Sequence, residues 1–271
     1  MATRSVISLP YQQRVKPETV YIGIVFMIAQ NEGKIFLAGE RSHEETDWFR
    51  SYNTFNVGTY QQAHKRSFGP LYRVTETTLA GTRSLIRFAA EDTVLVLIPT
   101  VGAIRFCDSL GNTTTIEAGQ VQIHDVYKGM RFEISNPYAH ELINFIELSL
   151  KKPLDDNLVK PQLVSIDLEQ HKNKLVLVYP AAPDDIKGKH NFFKTSLGKF
   201  DGRNEIVYQL AHPHNGLFLF VIEGAFEVQN RLLEAGDGLA LWHLKEAEIE
   251  ALSNNAAILL VEMQLSESKR S

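Results

Sequence analysis

The sequence of 271 residues contains a single cysteine, Cys107. One cysteine excludes an intramolecular disulfide and a cysteine-based zinc site. A lone cysteine fits a reducing compartment, so we expect a cytoplasmic protein in which Cys107 is a buried structural thiol rather than a redox-sensitive one. The sequence also lacks a phosphate-binding glycine loop and a dinucleotide fingerprint, and Ser109 has no histidine and aspartate partner at a recognisable spacing.

Long apolar runs and clustered cations are also missing. The most apolar N-terminal run, VYIGIVFMIA at residues 20–29, is too short for a membrane span, which needs about twenty residues. It follows polar residues and no small-residue cleavage site is present, so we predict a buried strand rather than a signal peptide. The 32 acidic residues exceed the 28 basic ones, giving a formal net charge of −4. Because phosphate binding needs clustered cations, nucleic acid is not expected as a partner.

Short strand-like runs separated by turn residues make up most of the sequence. In MRFEIS at residues 130–135, apolar and polar residues alternate as in a half-buried strand. Similar runs form one series over residues 93–150 and a second over residues 205–265. Between them, residues 151–162 are charged and contain two prolines, and residues 181–195 are polar and irregular. The pattern predicts an antiparallel sandwich or barrel.

The two series are built alike. PTVGAIRFCDSLGNTTTIEAGQVQ and VIEGAFEVQNRLLEAGDGLAL share the order strand, glycine, strand, turn, strand, and end in the same Ala-Gly pair. The separation of about 120 residues is much longer than a solenoid repeat. We therefore predict an all-β protein with little helix, built from two tandem copies of one β-barrel.

Two neighbouring segments carry a family resemblance. CDSLGNTTTIEAGQVQ at residues 107–122, followed by GMRFEISNP at residues 129–137, resembles the pirin family of double-cupin proteins. Weaker similarities lie in DWFRSYNTFNVGTY at residues 47–60 and in EAGDGLALW at residues 234–242. The resemblance covers most of the chain and implies two cupin barrels of the jelly-roll type.

The implied domains are an N-terminal barrel at residues 1–150, a linker at 151–162 and a C-terminal barrel at 163–271. Members of the family usually hold one iron or similar metal ion in the N-terminal barrel, through three histidines and one glutamate. Some members oxidise flavonols such as quercetin, and others act as regulatory binding proteins.

Counting from the matched turn and glycines places the four ligand positions on residues without donor atoms. They fall on Phe88, Ala90, Phe132 and Ile134. A transition metal needs imidazole or carboxylate donors, so we expect these four residues to line the cavity as apolar packing without a metal ion. Glu133, between Phe132 and Ile134, belongs on the opposite face of the strand, and we expect Glu91 and Asp92 to be surface acids.

Other polar residues could reach the same barrel. His124 and Asp125 are placed near its mouth, where they either contact a ligand or lie in a solvated turn. Tyr72, Arg73 and Arg87 could enter the cavity from neighbouring strands, although strand parity alone does not decide this.

The segment HPHNG at residues 212–216 offers the alternative metal site. His212 and His214 stand two residues apart and could share a strand face, with His243 as a distant third ligand. The competing interpretation is a loop between strands, interrupted by Pro213.

We therefore predict a pirin-like bicupin protein that lacks the family metal centre, has no cofactor and is not an enzyme. It would bind a small apolar molecule or a protein partner, and neither nucleic acid nor a membrane. The alternative is a quercetinase-type dioxygenase that holds iron or another divalent transition metal through the three histidines. The sequence leaves the ligand and the oligomeric state open.

Overall fold

The computed structural model describes residues 31–59, 61–153, 161–180 and 192–265. In these ranges nearly all regular structure is β-strand, with two single-turn 3₁₀ helices at Ala38–Glu40 and Ala63–Lys65. The predicted all-β class is confirmed. The strand predicted at 20–29 lies outside the described residues, and none of the described helices is long and apolar enough to cross a membrane. The cytoplasmic location stays a prediction.

Two antiparallel sheets form what we call the first half. Its large sheet contains β2 (Ser42–Glu45), β3 (Phe49–Asn53), β4 (Leu71–Leu79), β6 (Thr93–Val101), β9 (Gln120–Val126), β11 (Ile143–Lys151) and β12 (Gln162–Ser165). Its small sheet contains β5 (Ser84–Phe88), β7 (Ala103–Asp108), β8 (Thr113–Glu117) and β10 (Arg131–Ser135). The spatial orders are β12-β9-β6-β11-β4-β3-β2 and β5-β10-β7-β8.

Two further antiparallel sheets form the second half. Its large sheet contains β1 (Gly33–Phe36), β13 (Lys174–Tyr179), β14 (Phe193–Phe200), β16 (Asn215–Glu223), β19 (Gly238–Leu241) and β21 (Ala256–Gln264). Its small sheet contains β15 (Glu205–Gln209), β17 (Ala225–Val228), β18 (Arg231–Glu234) and β20 (Glu246–Ala251). The spatial orders are β1-β19-β16-β21-β14-β13 and β15-β20-β17-β18. The prediction of an irregular segment at residues 181–195 is wrong for residues 193–195, because β14 begins at Phe193.

The two halves repeat one arrangement of strands, which confirms the predicted duplication. Strands β9, β6, β11 and β4 occupy the places that β19, β16, β21 and β14 occupy in the other large sheet. The turns into the small sheets also match, because Gly102 follows β6 with φ 75° and Gly224 follows β16 with φ 76°. Such positive φ values favour glycine, which has no Cβ to clash.

The two halves exchange one strand each, because an edge strand of each large sheet comes from the part of the chain next to the other half. Strand β1 precedes the first half in the chain but pairs with β19 of the second, and β12 pairs with β9 of the first. These two strands take the same place at the edges of the two large sheets. The predicted boundaries at residues 150 and 163 stay a prediction, since part of the linker lies outside the described residues and the sheets share strands across them.

Three apolar cores stabilise this arrangement. One lies between the two large sheets, with Val96 and Leu148 on one side and Phe218 and Val261 on the other. The other two lie inside the halves, between each large sheet and its small sheet. Burial of apolar surface is the main favourable term in folding, so the large sheets join the halves through a continuous core.

Cys107 is half-buried, so the expectation of a buried thiol holds only in part.

The turn between β7 and β8 is held by the carboxylate of Asp108. Its Oδ1 accepts hydrogen bonds from the backbone N–H groups of Leu110 (2.9 Å) and Asn112 (3.0 Å). Its Oδ2 accepts one from the Asn112 side chain at 2.8 Å. Burial raises the pKa of Asp108, but the hydrogen bonds from Asn112, Leu110 and His124 outweigh this effect and lower the pKa below its ordinary value.

We expect the substitution Asp108→Asn to lower the free energy of unfolding at neutral pH by about 1–3 kcal/mol, because an amide cannot accept all of these hydrogen bonds. The folded-state pKa lies below the unfolded one, so the stabilisation is present above the unfolded-state pKa and is lost as the pH falls through the folded-state value. Urea unfolding of both proteins from pH 7 to about pH 3 should therefore show the difference shrinking.

The control is Asp92→Asn, since Asp92 is exposed and its Oδ1 accepts one described hydrogen bond, from Lys128 N at 2.9 Å. A difference between wild type and Asp108→Asn that is constant over the pH range, or no larger than that of the control, contradicts the assigned role of Asp108.

Candidate ligand site in the first half

The interiors of the two halves differ although their strands match. In the second half, Leu239, Leu241 and Leu260 point inward and are at most 1% exposed. Leu239 and Leu260 both pair with Leu219 of β16, and Leu241 pairs with Leu217. These pairings define the equivalent positions in the first half.

The equivalent positions of the first half carry polar side chains. Gln122 and Glu147 both pair with Leu97 of β6, and His124 pairs with Leu95. Along the sequence, Leu97 and Leu95 precede Gly102 by the same numbers of residues as Leu219 and Leu217 precede Gly224. Gln122, His124 and Glu147 therefore replace three leucines, and all three are buried.

A cavity of about 240 Å³ opens beside Glu147 between the large and small sheets. Its walls combine charged, hydroxyl and apolar side chains, which come from β4, β5, β6, β9, β10, β11 and the connection between β5 and β6. The lining residues are Tyr72, Arg73, Arg87, Phe88, Ala89, Ala90, Thr93, Leu95, Val126, Phe132, Glu147 and Ser149. We call it the first-half cavity.

Glu147 faces two arginines in this cavity. Its side chain is 2% exposed, with Oε1 3.8 Å from Arg73 Nε and Oε2 3.4 Å from Arg87 Nε. Both distances satisfy an ion pair but exceed those of strong N–H···O hydrogen bonds. Glu147 Oε2 and Arg87 Nε are buried without a hydrogen-bond partner among the described residues. Two guanidinium groups and one carboxylate leave one excess positive charge.

A carboxylate of the second half shows the contrast. Glu262 takes the place of Ser149, because each pairs with the equivalent leucine of β6 or β16. It accepts hydrogen bonds from Tyr208 Oη and Ala211 N, both at 2.8 Å, and from Asn215 Nδ2 at 2.6 Å. Burial, followed by the Glu262 charge, raises the pKa of Tyr208. This carboxylate accepts three short hydrogen bonds from the protein, whereas Glu147 accepts one long hydrogen bond at Oε1, from Ser149 Oγ at 3.5 Å, and none at Oε2 among the described residues.

His124 and Asp125 lie on β9 and are buried, so the predicted alternative of a solvated turn is wrong. His124 Nε2 lies 3.1 Å from Asp108 Oδ2, and its ring meets the edge of Phe106 at 5.1 Å between centroids. Its Nδ1 has no described hydrogen-bond partner. Asp125 pairs with Lys152 at 2.5 Å. Neither His124 nor Asp125 lines the first-half cavity, so a role at its mouth stays a prediction.

The four positions matched to the family ligands divide between the cavity, its rim and the core. Phe132 is 4% exposed and lines the cavity, and Ile134 is fully buried in the core behind it. Phe88 and Ala90 also line the cavity, but Phe88 is 69% exposed. The prediction that Phe88 is a buried packing residue is therefore wrong.

Strand register gives the reason for this error. Phe132 pairs with Arg87, and Phe88 pairs with the exposed Arg131. Side chains directly opposite each other share a face, so Arg87 points inward and Phe88 outward. A count displaced by one residue moves a side chain to the other face. Tyr72, Arg73 and Arg87, which the sequence left as possible cavity residues, all line the cavity.

The three histidines of the alternative metal site do not form a ligand group. His212 and His214 are exposed in the connection between β15 and β16, with ring centroids 5.3 Å apart. His243 Nδ1 lies 3.2 Å from Glu32 Oε2. Within the described ranges, no group of three or more His, Cys, Asp or Glu side chains is arranged to hold a metal ion.

The first-half cavity does not fit the metal ion of the pirin family. The matched positions supply no donor atom, and Glu147 is already paired with two arginines. Guanidinium groups never lose their proton in proteins, so they repel a cation and cannot ligate it. The donor chemistry of this cavity suits an organic molecule or an anion.

Comparison with known proteins supports the fold. The Quercetinase C-terminal cupin domain model matches residues 190–263. The Quercetin 2,3-dioxygenase of Escherichia coli (strain K12) is 21% identical over 222 residues, which cover 82% of this chain and 95% of the relative.

Solved structures show the same architecture. YhhW from Escherichia coli superposes with a TM-score of 0.73 at 20% identity, over 88% of this chain and 100% of YhhW. A second structure, of the bacterial pirin YhhW in complex with nickel(II), gives a TM-score of 0.72 at 20% identity, over 87% and 100%. A Quercetin 2,3-dioxygenase from Acinetobacter baumannii gives 0.64 at 18% identity, over 85% of each chain. With the all-strand, duplicated fold, these matches show a bicupin fold similar to that of bacterial pirins and quercetin 2,3-dioxygenases.

Proposed function

We propose that this pirin-like bicupin is a non-enzymatic binding protein that holds a small molecule in the first-half cavity without a metal ion. The observation that carries this proposal is the replacement of Leu239, Leu241 and Leu260 by Gln122, His124 and Glu147 at equivalent positions. The same strand arrangement is therefore compatible with leucine at these three positions, as the second half demonstrates.

The polar interior has an energetic consequence. A buried donor or acceptor without a partner costs about 1–3 kcal/mol. Three such buried atoms lack a hydrogen-bond partner among the described residues, namely Gln122 Oε1, His124 Nδ1 and Glu147 Oε2. Of these three residues Glu147 lines the cavity. A polar group that destabilises a fold at a cavity wall is typical of a ligand site, where the ligand supplies the missing interaction.

The walls of the cavity refine the expected ligand. A purely apolar molecule would leave Arg73, Arg87 and Glu147 without new partners, so the predicted apolar ligand fits only part of the wall. Phe132, Leu95 and Val126 supply the apolar part. We therefore favour a ligand with one apolar and one polar end.

The metal-dependent alternative follows from the names of the relatives. Some are named quercetin 2,3-dioxygenases, and one bacterial pirin structure contains nickel(II). The same chemistry here would need donors that Phe132, Ile134 and the two arginines do not provide.

We expect Gln122→Leu to raise the free energy of unfolding by about 1 kcal/mol, because it removes an unpaired amide oxygen and installs the residue of the second half. The reciprocal substitution Leu239→Gln is the matched control and should lower it by about 2–4 kcal/mol. Urea unfolding monitored by circular dichroism measures both. If Gln122→Leu is destabilising by more than about 1 kcal/mol, the polar interior is structural and the argument for a ligand fails.

We also expect protein purified without chelators to contain transition metals far below one equivalent, by elemental analysis. It should consume no oxygen with quercetin after addition of Fe²⁺, Ni²⁺, Cu²⁺ or Mn²⁺. One tightly bound equivalent, or metal-dependent oxygen uptake, contradicts the proposal.

Two variants locate any metal that is found. Its loss in Glu147→Gln assigns it to the first half, and its loss in the triple variant His212→Ala, His214→Ala, His243→Ala assigns it to the alternative histidines.

A further inference from the structure

We propose that the ligand of the first-half cavity is a small monocarboxylic acid whose carboxylate lies between Arg73 and Arg87. This inference rests on the proposed function and specifies the chemical class of the ligand. Charge balance, free donors and an apolar wall each support it.

The first argument is charge. Arg73 and Arg87 carry two positive charges, and Glu147 supplies one negative charge at 3.8 and 3.4 Å. Glu91, which follows the lining residue Ala90 in sequence, pairs with Lys151, so this ion pair leaves the excess unchanged. A ligand with one negative charge neutralises the cavity, whereas a dianion such as a phosphate ester would reverse the imbalance.

The second argument is hydrogen bonding. Neither guanidinium group donates a hydrogen bond to another described residue, and each arginine side chain is 23% exposed and lines the cavity. A guanidinium group presents five N–H donors in a planar fork that matches the two oxygens of a carboxylate. Such charge-assisted pairs are about twice as strong as neutral hydrogen bonds.

The third argument is the apolar part of the wall. Phe132, Leu95 and Val126 supply apolar lining, with Phe132 directly beside Arg87 on the neighbouring strand, and Phe88 lies at the rim. The volume of about 240 Å³ is below the roughly 300–1,000 Å³ of drug-sized sites. Together these features suit a short or aromatic acid, with its hydrocarbon against Phe132.

Glu147 has a defined part in this arrangement. Its carboxylate keeps both arginines turned inward and limits the excess charge to one, but it also repels an incoming anion. Removing its charge while keeping its shape should therefore strengthen anion binding, a result that a merely structural ion pair does not predict.

Sodium benzoate is the probe, and uncharged benzamide is its matched neutral analogue. We expect calorimetric titration to show benzoate binding to the wild-type protein at least about tenfold more tightly than benzamide, since benzamide lacks the charge. Arg87→Met and Arg73→Met should each weaken benzoate binding by about 10- to 100-fold.

Arg131→Met is the control, because Arg131 neighbours Phe132 in sequence but pairs with Glu133 on the outer face. Glu147→Gln should bind benzoate at least about threefold more tightly than the wild type. Circular dichroism spectra of all variants show whether each one is folded, and the strengthened binding of Glu147→Gln requires a folded protein.

The outcomes separate the two levels of the proposal. Absence of benzoate binding, equal affinity for benzamide, or a benzoate affinity that Arg87→Met and Arg131→Met change equally overturns the monocarboxylate assignment. Binding of benzamide alone overturns that assignment but leaves metal-free binding intact. A stoichiometric transition metal in the first half overturns the proposed function itself, whatever benzoate does.

Discussion

The burial of one carboxylate opposite two guanidinium groups is the constraint on which the chemistry of this protein depends. Glu147 is 2% exposed on β11, at distances from Arg73 and Arg87 that pair the charges without close hydrogen bonds. Removing charges from water is expensive, and such a pair is weak evidence for stability. Here the three charged side chains leave the cavity with an excess positive charge. That charge opposes the binding of a cation such as a metal ion.

The duplicated fold supplies an internal comparison for that arrangement. The two halves share strand order, turn glycines and register, so differences between equivalent positions reflect demands other than the fold. In the second half the interior is leucine-rich and its inward carboxylate, Glu262, accepts three hydrogen bonds of 2.6–2.8 Å from the protein. The proposed function therefore rests on the half whose buried polar groups lack hydrogen-bond partners among the described residues, and not on the fold, which many functions share.

Sequence reasoning recovered the fold better than the site. The all-β class and the duplication followed from alternation and from the repeated Gly and Ala-Gly turns, such as those at Gly102 and Gly224. The exchange of β1 and β12 could not be foreseen, because it depends on pairing between distant strands. Phe132 and Ile134 lie inward as expected, and Arg73 and Arg87 line the cavity as the sequence allowed, but a count displaced by one residue in β5 also placed Phe88 inward. Glu147 was missed, although a single acid within the apolar run INFIELSL was a usable signal.

The central claim is that guanidinium chemistry has taken the place of metal chemistry in the first half. A crystal structure of the protein grown with nickel(II) and benzoate together, with anomalous data at the nickel edge, tests it most directly. The account predicts a benzoate carboxylate between Arg73 and Arg87 and no nickel peak in the first-half cavity. A nickel ion ligated there by Glu147 would contradict it.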